Sequence, residues 1–96
     1  MKEVFLVSSE NKAKAERLLK QDELVNRGSI TLRECSALGI QESGSFIVLD
    51  CSETGLKRAE ELLQGLAEKY SKREQVLEAL RKQEEEAAEG FGAIMG

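Results

Sequence analysis

Two thiols, Cys35 and Cys51, and the pair of cations that follows the second are the residues of this chain best suited to chemistry. In the stretch VLDCSETGLKR, residues 48–58, an apolar run ends at Cys51, a polar loop follows, and a helical pattern opens that carries Lys57 and Arg58. A cysteine at a helix N-terminus meets unpaired backbone N–H groups and the positive end of the helix dipole, which favour a thiolate and can hold an oxyanion. The plainer alternative is packing: Asp50 or Ser52 caps the helix while Cys51 fills space as a small hydrophobe. The chain has no histidine. That removes the usual general base, so neither Ser/His/Asp nor Cys/His nucleophile arrangements can be assembled. Two thiols alone cannot complete an ordinary zinc shell within one chain. No catalytic set, cofactor site or metal site is therefore expected, and Cys51 with Lys57 and Arg58 is the one catalytic candidate held in reserve.

The order strand, cysteine, loop, helix resembles the active-site loop of rhodanese-type sulfurtransferases and cysteine phosphatases. The resemblance implies a thiol-dependent enzyme with Cys51 ringed by backbone N–H groups and a basic residue six positions on, where this chain has Lys57. It is confined to the loop. Asp50 and Glu53 flank the cysteine and would repel a bound oxyanion.

Elements must position these groups, and their order can be read from periodicity. Val4-Phe5-Leu6-Val7 and Phe46-Ile47-Val48-Leu49 are continuous apolar runs of buried-strand type. Ser8, Ser9 and Asn11 supply capping groups for a helix through Ala15, Leu18, Leu19 and Val25, which Gly28 is expected to end in a left-handed conformation. Ile30 and Leu32 alternate with Thr31 and Arg33, as in a half-buried strand, and the same parity returns at Leu38 and Ile40. A hairpin closing around Ser43 would set Ile40 opposite Phe46, Leu38 opposite Val48 and Cys35 opposite Cys51. Leu56, Ala59, Leu63, Leu66, Ala67 and Tyr70 recur at helical spacing.

The stretches VFLVSSENKAKAERLL and IVLDCSETGLKRAEELL echo one another, each an apolar run followed by Ser-Glu, a cation, Ala-Glu and Leu-Leu. Two such βα halves joined by a hairpin predict an α+β fold, a ferredoxin-like βαββα(β) two-layer sandwich with helices on one face of an antiparallel sheet. The organisation expected is a core at residues 1–70, a charged amphipathic helix at 71–89 and an apolar, glycine-containing tail at 90–96. The helix from Thr54 onward either kinks near Ser71 or continues to about residue 89, with Leu56, Leu63, Tyr70, Leu77 and Glu84 beside Ala59, Leu66, Arg73, Leu80 and Ala87 as a heptad-like seam, eight of the ten apolar. Phe91 to Met95 could then close the sheet as a fourth strand, or dock on another protein.

A net charge of −4, from 14 cations and 18 anions, disfavours nucleic acid, which needs clustered basic residues. No apolar run is long enough to span a membrane and the first residues lack a secretory h-region, so a cytoplasmic protein is expected. The function expected is a small non-catalytic interaction module or accessory subunit that binds itself or a larger complex through Tyr70, Leu77, Leu80, Phe91, Ile94 and Met95. The alternatives are a regulatory domain that senses a small metabolite between subunits and a thiol enzyme at Cys51.

Overall fold

The computed structural model describes the backbone of residues 1–95 and side chains as far as residue 85. In chain order the elements are β1 (Lys2–Val7), α1 (Lys12–Gln21), α2 (Glu23–Asn26), β2 (Ser29–Glu34), β3 (Ser45–Asp50), α3 (Glu53–Leu63), β4 (Ala67–Lys69) and α4 (Arg73–Met95), with a single 3-10 turn at Ser36–Leu38. The fold is α+β, with a four-stranded antiparallel sheet in the order β2-β3-β1-β4.

The two continuous apolar runs become the two central strands, and for a physical reason. Alternate side chains of a strand point to opposite faces, so a run that is apolar throughout needs cover on both. Phe5, Val7, Ile47 and Leu49 pack with Ala15, Leu19, Val25, Leu56, Ala59 and Leu63 under α1, α2 and α3. Val4, Phe46 and Val48 form a second core with Cys35, Ile40, Val76 and Leu80. Helix α4 therefore covers the second face, and the expected two-layer sandwich with helices on one face is corrected to a sheet with helices on both. On β2 only Ile30 and Leu32 join the first core, while Ser29, Thr31 and Arg33 alternate with them, as suits an edge strand.

Helix breaks follow local chemistry. At Asp22 the backbone turns extended, and its carboxylate accepts the Leu24 and Val25 N–H groups at 3.0 and 3.4 Å, ending α1 and capping α2. Gly28 does not end a helix in left-handed form; a Cβ there would overlap Asp50 O and come within 2.5 Å of Cys51 Cβ, so the requirement is close approach. Gly65, with φ +80°, stops α3 instead, and Leu66 N–H returns to Leu63 O at 2.8 Å.

Three sequence expectations are corrected here. Residues 54 to 89 are neither one helix nor a helix pair kinked near Ser71, because the turn at 64–66 and strand β4 intervene. The fourth strand is Ala67–Lys69 on β1, not Phe91 to Met95, which fall within the span of α4. The β2–β3 register pairs Ser29 with Asp50 and Glu34 with Ser45, so the connection runs from Cys35 to Gly44 and Leu38 and Ile40 belong to it, not to a strand.

Candidate functional site

Cys51 follows β3 directly, and its N–H donates to Met1 O at 3.0 Å, which takes it out of any anion cradle. Its side chain is half-buried between two glycines: Cβ lies against Gly28, and a Cβ on Gly55 would stand 3.0 Å from the thiol sulfur. Ser52 caps α3, its Oγ accepting the Gly55 N–H at 3.1 Å. The cations turn elsewhere. Arg58 donates from Nε to Asp22 Oδ2 at 2.7 Å and from a terminal nitrogen to Glu61 at 3.2 Å, and Lys57 lies 3.8 Å from Glu53 on the solvent side. The Arg58 hydrogen bond holds the Asp22 carboxyl below its ordinary range. Burial pushes the Cys51 thiol up, Asp50 adds to that, and the α-amino group of Met1 opposes it. The loop is built as a capped helix start with a neutral, packed thiol.

Cys35 lies at the other end of β3 and on the other face, fully buried with Val4, Ile40, Phe46 and Val76. Its N–H donates to Gly44 O at 3.1 Å, so it faces Gly44 and not Cys51; the expected cysteine pairing is overturned by the register. Burial, and then Glu42, raise its thiol as well. Both shifts act in one direction on stability. A thiol with a raised folded-state pKa favours folding below the unfolded value of about 8.5, and that contribution is lost as pH rises through the folded value. Iodoacetamide at pH 7.5 is accordingly expected to label Cys51 at least about tenfold more slowly than an unstructured cysteine peptide, and Cys35 only after unfolding. Labelling of Cys51 at the peptide's rate or faster would restore the thiolate reading.

The expected interaction residues divide between inside and outside. Leu80 is buried on the sheet and Leu77 half-buried beside it. Tyr70 packs edge-on to Phe46 with ring centres 4.8 Å apart and donates its hydroxyl to Glu42 at 3.1 Å. Phe91, Ile94 and Met95 lie outside the residues whose side chains are described. Gln83 Nε2 donates to Ala37 O and ties α4 to the 3-10 turn. A groove of about 350 Å³ separates α4 from β2, lined by Lys2, Ser29, Thr31, Leu77, Arg81 and Glu84, and its charges are mixed. Among the described residues, no group of three Cys, Asp or Glu side chains could hold a metal ion, and no helix is long and apolar enough to cross a membrane.

Sequence reasoning treated β2 as a strand but not as a surface. Among the described residues its outer edge has no strand neighbour, whereas the opposite edge is a β4 of only three residues, two of them Glu68 and Lys69. The signal was present in the alternation of Ser29, Thr31 and Arg33 with Ile30 and Leu32, which marks a strand covered on one face only. Comparison with protein-family models, with curated proteins and with solved structures finds no match for this chain.

Proposed function

We propose that this chain is a small non-catalytic interaction module that associates with a second copy of itself and serves a larger assembly as an accessory subunit. The sheet order read from its short edge, β4-β1-β3-β2, with α1 and α3 over one face, supports a ferredoxin-like split βαβ core to which α4 is added. The observation that carries the functional reading is the contrast between the two sheet edges. Natural edge strands are protected by shortness, charge, proline or bulges, and β4 has the first two. Strand β2 carries Arg33 and Glu34 at its far end, but it is six residues long, pairs with β3 in unbroken register and contains no proline, and Ser29 to Leu32 are uncharged. It offers backbone hydrogen-bonding groups of the kind that a second sheet uses.

The two rival readings have less support. A metabolite held between subunits on the sheet face would need the surface on which Val76 and Leu80 sit. A thiol enzyme needs a thiolate, and burial favours the neutral form at Cys51. Two free thiols suit a reducing compartment, and we place the protein in the cytoplasm.

Light scattering on size-separated full-length protein over a concentration series tests the reading. The expected result is a mass that moves from one chain toward two as concentration rises. One chain at every concentration, together with no partner retained from the cytosol, would remove it.

A further inference from the structure

The hydrogen-bonding direction of every β2 residue follows from one bond and the register. Cys35 N–H donates to Gly44 O, and the ladder continues from there, with Arg33 facing Phe46, Thr31 facing Val48 and Ser29 facing Asp50. In an antiparallel ladder, directly bonded pairs alternate with unbonded ones, so Ser29, Thr31 and Arg33 turn their N–H and C=O groups to β3. Ile30, Leu32 and Glu34 turn theirs outward. The same alternation holds across β1, where Cys51 N–H bonds to Met1 O on one side and Tyr70 N–H to Val4 O on the other. The outward Leu32 carbonyl accepts an intramolecular bond from the Arg33 guanidinium at 2.8 Å, an exposed donor that another strand can replace.

Ile30 and Leu32 are only half-buried against the helix-side core, so their outer flanks are available for more cover. Resting on the self-association proposed above, we infer that β2 pairs antiparallel with β2 of a second copy about a two-fold axis at Thr31, joining two sheets into one of eight strands. In that register the outward groups of Ile30 and Leu32 bond reciprocally with those of the partner's Leu32 and Ile30, the two threonines face each other, and Ser29 faces Arg33. Apolar cross-strand pairs and a threonine pair are both favourable. Registers shifted toward the charged end of β2 are worse: one centred on Leu32 sets each Glu34 carboxylate against an Ile30, and one centred on Arg33 opposes two guanidinium groups; one centred on Ile30 leaves Leu32 opposite Gly28, without an apolar partner. Because the axis is normal to the sheet, α1 and α3 of both copies lie on one side and both α4 helices on the other.

Amide hydrogen exchange, read residue by residue by NMR in dilute and concentrated full-length protein, tests this pairing. Thr31 and Arg33 amides, bonded to β3, are expected to be protected in both samples. Ile30 and Leu32 amides exchange freely when dilute and gain at least about tenfold protection when concentrated. Thr31→Lys, which sets two ammonium groups across the axis at a half-exposed position, is expected to halve the mass at high concentration and to leave the circular dichroism melt unchanged. A dimer in which Ile30 and Leu32 gain no protection overturns the β2 pairing and leaves self-association standing. A monomer at every concentration overturns both.

Discussion

Val76→Asp is expected to cost about 4 kcal/mol or more, a large share of the ~5–15 kcal/mol that holds a domain of this size together. Val76 has no exposed surface and faces Val4, Cys35, Phe46 and Val48, so a carboxyl there finds no partner among the described residues and must either stay charged in an apolar layer or take up a proton. Urea unfolding followed by circular dichroism reads the loss directly. Glu78→Ala, on the exposed side of the same helix, should move the midpoint by less than about 0.5 kcal/mol equivalent. Ending the chain at Tyr70 is the stronger form of the same experiment. It strips Val76 and Leu80 from the sheet, each worth about 1.5–3 kcal/mol when buried, and opens Val4, Phe46 and Val48 to water. That product should bind a hydrophobic dye and scatter as aggregate. A truncated chain that melts cooperatively as a monomer would mean that α4 contributes nothing to the second face.

Gly44→Ala should be nearly as damaging, through the backbone. At φ +100° an L side chain is strained, and a Cβ there would also overlap Val7 O of the neighbouring strand. The two penalties together are expected to exceed about 3 kcal/mol. Gly65→Ala carries the first penalty without the second, because its Cβ would meet nothing within 4 Å, and should cost about 1–2 kcal/mol. Comparing the two by urea denaturation separates strain from collision. Equal losses would show that the close approach of Gly44 to β1 is relieved by a small backbone shift.

The two continuous apolar runs and the alternating run at 30–33 were enough to place three strands of an α+β chain, but not the register in which the second and third of them pair. What went unread has a common cause. Val4, Phe46 and Val48 sit on the opposite parity to Phe5, Ile47 and Leu49, and a strand apolar on both parities demands a second cover, yet the helix after residue 71 was not assigned to that face. Leu66 and Ala67 happened to fall on the α3 period, and that coincidence outweighed Gly65, the residue that stops the helix. Strand β4 is three residues long and two of them are charged, so its pairing with β1 decides its conformation where local preference cannot. At the candidate site, the Ser52 cap was legible as one of two choices. The commitment of Arg58 to Asp22 was not, because 36 residues separate the partners.

The position of β1 has a consequence for the time course of folding. It is the first strand of the chain and a central strand of the sheet, bonded to Ser45–Asp50 on one side and Ala67–Lys69 on the other. Only β2 and β3 are close enough in sequence to find each other early. Until the first flank arrives, VFLV is unpaired, with apolar groups on both faces and backbone donors on both edges, and one edge stays open until the second arrives. Loop closure over such separations is slow, and the interval before β1 docks is the one in which this chain is most exposed to irregular association. A chaperone that shields short extended apolar segments would act on residues 4–7, and on a nascent chain before the stretch up to Lys69 had been made.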